Sequence, residues 1–284
     1  MSATIDPPAE AAPTTQQQAS GSSFYAAMRL LPPAERAAMF AIYGFCRVVD
    51  DVADEPGPST EQRRKELNEY RADVAALFAH NAPERLDYLV APLERFGLKQ
   101  DDFLQIVDGM EMDVDGPIIA PTFATLDLYC DRVASAVGRL STRIFGMDDE
   151  PGAKLAHHLG RALQLTNILR DIDEDAEMGR LYLPVESLEI AGIETREPVE
   201  VIADPAIDIA CRWVAKKAHE HYDAADLVLK SKPTGRIRSP RLMREVYAGI
   251  LRGMEKVGWH APRHRISLPR TQLLWIVLRH GLVD

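Results

Sequence analysis

The chain has 284 residues, 46% of them hydrophobic and 27% charged, with 33 Lys+Arg against 43 Asp+Glu and a net charge of −10. This composition excludes a wholly disordered chain and matches an ordinary globular protein. The acidic balance argues against nucleic acid as a partner, and an anionic substrate would require metal ions between it and the protein.

Residues 1–20 carry three prolines and three glutamines among few large apolar groups, and read as a disordered lead-in before one domain at 21–284. They hold no Lys, Arg or apolar run, so they do not form a secretory signal. From Phe24 onward helical periodicity dominates, and the breaks fall at proline and glycine clusters. The predicted helices are 34–54, 60–80, 85–97, 100–113, 123–146, 152–176, 206–230, 239–258 and 271–280. Alternating segments bounded by hairpin turns are missing, and no 33–50-residue repeat is visible. The fold class is therefore all-α, in one domain. Cys46, Cys130 and Cys211 form no C-x-x-C and read as small buried hydrophobes. With no apolar run of about 18 residues, the expected location is cytoplasmic.

Two helical segments carry carboxylates where a core helix would not. In AIYGFCRVVDDVADE, residues 41–55, Tyr43, Arg47, Asp50 and Asp54 are spaced 4, 3 and 4 and share one face, flanked by Asp51. A solvated acidic helix end is the bland alternative, but the surrounding residues are mostly apolar. In QLTNILRDIDEDAEMGRLYLP, residues 164–184, Gln164, Asn167, Asp171 and Asp175 are spaced 3, 4 and 4 on one face. Burying such groups without partners costs several kcal/mol each. Mg²⁺ compensates naturally, because it takes oxygen ligands and bridges carboxylates to substrate phosphates. An EF-hand is excluded, since Ala176 stands at the glycine position and Tyr182 at the final ligand position. A di-iron bundle is excluded too: none of the eight histidines has Glu three residues before it. Two D-x-x-x-D faces in one helical chain point to a metal–diphosphate site.

These residues carry a resemblance. DDVAD (50–54), YCDRVASAVG (129–138) and NILRDIDEDAEMGRLYLP (167–184) resemble the squalene/phytoene synthase family of head-to-head prenyl transferases, and the likeness runs from about Ser22 to the C-terminus. Within it, SSFYAAMRLLP (22–32), GMEMDVDG (109–116) and LLWIVLRHGLV (273–283) are most similar to hopanoid-associated presqualene diphosphate synthases. The resemblance implies the class I isoprenoid synthase fold, a single helical domain around a central cavity with the two aspartate helices facing across it. It also implies that two farnesyl diphosphates condense to presqualene diphosphate with release of one diphosphate.

By that resemblance Asp50, Asp54, Asp171 and Asp175 would hold several Mg²⁺ ions, with Asp51 and Asn167 as lesser ligands. Arg47, Arg170 and Arg180 would contact diphosphate oxygens, which suits the guanidinium fork. Salt bridges to the neighbouring aspartates are the competing role for Arg47 and Arg170, and the two roles are compatible. The carbocation needs a dry pocket with electron-rich faces, and Phe24, Tyr43, Tyr129 and Tyr182 could supply them at roughly 0.5–2 kcal/mol each. Core packing is the alternative for each ring. Tyr129 matches the family tyrosine associated with cyclopropane formation, as proton acceptor or cation stabiliser, with released diphosphate as the competing base. Val133, Ala134, Val137 and Gly138, with Ala136, match a wall of the prenyl tunnel, though close helix packing explains small residues equally well. Ser22 and Ser23 would cap a helix or touch phosphate. Gln164 would orient a metal-bound water, Tyr247 would line the pocket, and the His157–His158 pair reads as helix surface.

Three rival activities stay open: full squalene synthase with NADPH, phytoene synthase acting on geranylgeranyl diphosphate, and a terpene cyclase. No G-x-G occurs, and NADPH is not expected. An inactive homologue serving as an assembly partner is disfavoured by retention of both stripes. The apolar run 273–278 is too short to span a bilayer, so peripheral association at the inner membrane face, beside enzymes of the same pathway, is the most it would give.

Overall fold

The computed structural model describes Met28, residues 31–54, residues 56–268 and Ile276. The lead-in 1–20, Ser22, Ser23, Phe24 and nearly all of the predicted helix 271–280 lie outside the described residues. The elements are α1 (Pro33–Asp54), α2 (Thr60–Phe78), a 3₁₀ turn (Glu84–Leu89) running into α3 (Val90–Phe96), and α4 (Gln100–Val114). Then come α5 (Phe123–Cys130), a π-helical turn (Asp131–Ser135), α6 (Ala136–Ile144), α7 (Asp149–Arg170) and α8 (Ile172–Glu177). The remainder are α9 (Val185–Ala191), α10 (Pro198–Ala203), α11 (Ile207–Lys230) and α12 (Arg238–Val257). Among the described residues the only strand-like pairing is one parallel bridge between Ile119 and Leu181.

Local chemistry explains the main boundaries. Ser59 caps α2 by accepting from the Gln62 N–H at 3.2 Å, while the Gln62 side chain accepts from the Ser59 N–H at 2.7 Å. Helix α1 buries Ala38, Ile42, Phe45, Val49 and Val52, spaced 4, 3, 4 and 3, which leaves Arg47, Asp50 and Asp54 together on the other side of the helix. Helix α7 is the axis, packed against the π turn, α6, α11 and α12. It approaches closely because of glycine. A Cβ on Gly160 would stand 2.7 Å from Ser135 Cα, and one on Gly138 would stand 3.1 Å from Ala156 Cα.

Three predicted helices are subdivided. The stretch 123–146 breaks at the π turn, where charge converges. Arg161 of α7 donates to Asp127 at 2.7 and 3.0 Å and to Asp131 at 2.9 Å, while Arg139 donates to Asp102 at 2.5 Å and to Asp131 at 3.2 Å. The stretch 152–176 breaks at Asp171, whose φ of −106° and ψ of 18° leave the helical region. Trp259 Nε1 donates to the Leu169 carbonyl at 2.9 Å, satisfying an acceptor near that helix end. The stretch 85–97 begins as a 3₁₀ turn. Helices α9 and α10, seven and six residues long, fall where no helix is predicted, because they are too short to display a period of 3.6. Cys130 and Cys211 are buried and Cys46 is half-buried, in line with their reading as small hydrophobes.

Candidate active site

The cavity between α1, the π turn, α6, α7 and α12 has a volume of about 240 Å³ and is almost wholly apolar. Tyr43, Val133, Ala134, Val137 and Gly138 line it, as do Gln164, Asn167 and Tyr247. Val133, Ala134, Val137 and Gly138 therefore serve both readings: they wall the cavity, and Gly138 also lets α6 approach α7, whereas Ala136 is buried and does not line it.

Both aspartate stripes gather beside this cavity. The one-turn periodicity survives the break at Asp171, because the Asp171 N–H still bonds the Asn167 carbonyl and the Asp175 N–H bonds the Asp171 carbonyl, both at 2.9 Å. Arg180 links the two sides. Its Nη2 donates to Asp54 at 2.6 Å, and its positive charge opposes the rise in the Asp175 pKa. Arg47 donates to Asp50 at 2.8 Å and to Asp51 at 2.6 Å, and Arg170 grips Asp171 at 2.8 and 2.6 Å. All three arginines thus pair with aspartates, the role set against phosphate contact in the sequence for Arg47 and Arg170. Asp51 is exposed and flanks the stripe.

Crowding leaves these carboxylates short of positive charge. Burial, followed by repulsion from Asp54, pushes the Asp50 carboxyl up to about 6. Burial, followed by repulsion from Asp171, pushes Asp175 up to about 7. Asn167 Oδ1 is buried and has no hydrogen-bond partner among the described residues. An oxygen-rich, over-acidic cluster containing an orphaned carbonyl oxygen fits a hard divalent cation such as Mg²⁺.

Behind the stripes stands a pair of phenols. Tyr129 and Tyr182 stack with ring centroids 5.0 Å apart, and their hydroxyls donate to opposite oxygens of Asp113 at 3.1 and 2.8 Å. Burial, then the Asp113 charge, holds the Tyr129 hydroxyl far above its ordinary pKa, so it is a neutral donor at pH 7. The bridge at Leu181, with N–H···O bonds of 2.7 and 2.8 Å to the 118–120 connection, sets where Tyr182 emerges. Asp113 was not among the sequence candidates. Its signal is a carboxylate continuing the buried stripe Phe103, Ile106, Met110 at spacings of 3, 4 and 3. Arg263 and Arg265 were also missed. They come back over α8, Arg263 onto Asp173 at 3.0 Å and Arg265 onto Asp171 at 3.1 Å and Glu174 at 2.8 Å. No spacing rule foretells a contact across about 90 residues.

An all-helical domain with two acidic helix faces at one end of an apolar cavity is the class I isoprenoid synthase fold. The chain belongs to the squalene/phytoene synthase family, whose sequence model matches residues 17–272. It is 51% identical to a presqualene diphosphate synthase of Zymomonas mobilis, covering 97% of this chain and 96% of that protein. It is 52% identical to one of Rhodopseudomonas palustris, covering 94% and 96%. A 15-cis-phytoene synthase of Synechocystis is more distant, at 31% over 89% of this chain and 78% of that one. Among solved structures, a dehydrosqualene synthase superposes with a TM-score of 0.82 at 23% identity, covering 94% of each chain. The squalene synthase HpnC from Alicyclobacillus acidocaldarius superposes at 0.77 and 27%, covering 86% of this chain and 92% of that one.

Proposed function

We propose that this protein condenses two farnesyl diphosphates head-to-head to presqualene diphosphate, releasing one diphosphate and one proton. The observation that carries the reading is the apolar cavity with both aspartate stripes and three arginines gathered beside it. The choice of product rests on relatives of that name at 51–52% identity, against 31% for the phytoene synthase.

Breaking the allylic C–O bond puts negative charge on the departing diphosphate, so stabilisation is needed where that charge develops. Asp50, Asp54, Asp171 and Asp175 would hold Mg²⁺, with Asn167 Oδ1 as a neutral donor and Asp51 outermost; when bound, the metal supplies Lewis-acid stabilisation of the leaving group. Arg47, Arg170 and Arg180, already beside these carboxylates, would turn spare N–H groups to phosphate oxygens. Gln164 would fix the polar end of the substrate at the cavity wall. The allylic cation would lie along Val133, Ala134, Val137 and Gly138, away from water, with Tyr43 of α1 lining the same cavity. A phenol held neutral is a poor base at the start of the reaction. Tyr129 and Tyr182, which stand outside the cavity lining beside the stripes, would act on positive charge through their rings and hold Asp113 in place, and the released diphosphate is the better proton acceptor. Phe24 and Ser23 lie outside the described residues, and their substrate contacts rest on the resemblance alone.

The test is a product assay with farnesyl diphosphate and Mg²⁺, with and without NADPH, read by mass spectrometry. A cyclopropyl C30 diphosphate accumulating equally in both is expected. Squalene formed only with NADPH, or turnover of geranylgeranyl diphosphate alone, would replace this reading with a complete squalene synthase or a phytoene synthase. Among the described residues no helix is long and apolar enough to cross a membrane. The apolar run at 273–278, all but Ile276, lies outside them, so peripheral attachment stays a proposal.

A further inference from the structure

Helix α7 turns one face to the prenyl cavity through Ala156, Leu159 and Gln164. Its other side carries His157 and His158, which meet His221 of α11 across the helix interface. The Nδ1 atoms of His158 and His221 lie 3.1 Å apart, and one ligating nitrogen from each of the three histidines falls within 4.8 Å of the others. None of the three lines the cavity. We propose that His157, His158 and His221 form a second metal site, for a divalent transition-metal ion such as Zn²⁺, that pins α7 to α11.

The shortest of these distances suits that ion. With Zn–N bonds of about 2.0–2.1 Å, two ligands of a tetrahedral centre stand about 3.3 Å apart, close to the His158–His221 separation. Imidazole nitrogens select zinc, copper or nickel, whereas Mg²⁺ takes oxygen, so Mg²⁺ does not compete for the histidines. Metal binding needs neutral rings, the majority form of an ordinary imidazole above pH 7. The nearby Arg161 does not repel a cation unopposed, because Asp127 and Asp131 both pair with it and Asp127 also acts on His157 and His221. The backbone beneath is fixed: the His157 carbonyl accepts from Ser135 Oγ at 3.2 Å and from Arg161 Nη1 at 3.3 Å. His157 is exposed, which leaves room for water as a fourth ligand.

The test uses untagged full-length protein in saturating Mg²⁺, dialysed against Zn²⁺ and assayed for bound zinc and for its heat-unfolding midpoint. One Zn²⁺ per chain and a raised midpoint are expected. Loss of outer groups that merely orient a ligand costs roughly 10–100-fold in metal affinity, so His158→Gln and His221→Gln should each weaken zinc binding at least tenfold. His157→Ala, at an exposed position, keeps the test open if the other two variants fold poorly. His219→Gln, which faces Glu255 at 2.9 Å instead, should bind zinc normally. Prenyl turnover with Mg²⁺ and no zinc should be unchanged in the cluster variants. Wild-type protein that takes up no zinc overturns the proposal. So does binding that persists in the variants, which would place the ion at the aspartates or at Cys46.

Discussion

A hydrogen bond to a charged acceptor contributes about 1.5–3 kcal/mol, and Asp113 accepts two of them from phenols that are themselves buried. Asp113→Asn keeps the shape of the acceptor but removes its charge. If the tyrosine pair is held for the cation, kcat should fall about 10–100-fold with KM little altered, in steady-state assays with farnesyl diphosphate. An unchanged kcat would reduce the trio to a packing device. The carboxylate was legible as an oddity on an apolar stripe. Its partners were not, because Tyr129 and Tyr182 reach it from 16 and 69 residues away in sequence.

At the scale of elements, the close approach of α7 to the π turn depends on Gly160. A methyl group there would meet the Ser135 backbone, with Cα at 2.7 Å and N at 2.8 Å, and backbone atoms cannot swing aside as a side chain can. Gly160→Ala should therefore destabilise the protein by about 1–3 kcal/mol, measured by denaturant unfolding at unchanged m-value. A neutral result would mean that the helix pair slides apart freely. The subdivision of 123–146 shows why such an element escapes a periodic reading. Its hydrophobic pattern continues through the π turn, and the extra residue is set by where Arg161, on another helix, must find Asp127 and Asp131.

For the whole molecule, the acidic cluster opposes folding until cations arrive. Asp50 and Asp175 have folded-state pKa values of about 6 and about 7, above the ordinary 3.8. Between these values the folded chain binds more protons than the unfolded one, so stability falls as pH rises through the window and stays low above it. In metal-free protein at pH 8, Asp50→Asn should raise the unfolding midpoint. The gain is on the order of 1 kcal/mol once screening is allowed for, since the Asp50 side chain is 38% exposed. The advantage should shrink at pH 5, and the variant should lose turnover with Mg²⁺ present. A midpoint lowered at pH 8 would show that the Arg47 ion pair outweighs the repulsion, and near-normal turnover would remove Asp50 from the metal set.

The amino-acid sequence by itself determined the all-α class, the paired acidic faces and the family, because each is written in local spacing. One helical turn separates Asp50 from Asp54 and Asp171 from Asp175, whatever surrounds them. Composition likewise sufficed to read Cys130 and Cys211 as buried. Only the tertiary structure decided what those faces meet: Arg180 reaching Asp54 across 126 residues, Asn167 Oδ1 left without a partner among the described residues, Asp113 beneath two phenols and three histidines converging from two helices. Such contacts depend on how helices of similar pattern are placed beside one another. That placement is set by the summed packing of glycines, ion networks and apolar ridges, and no single stretch of sequence contains it.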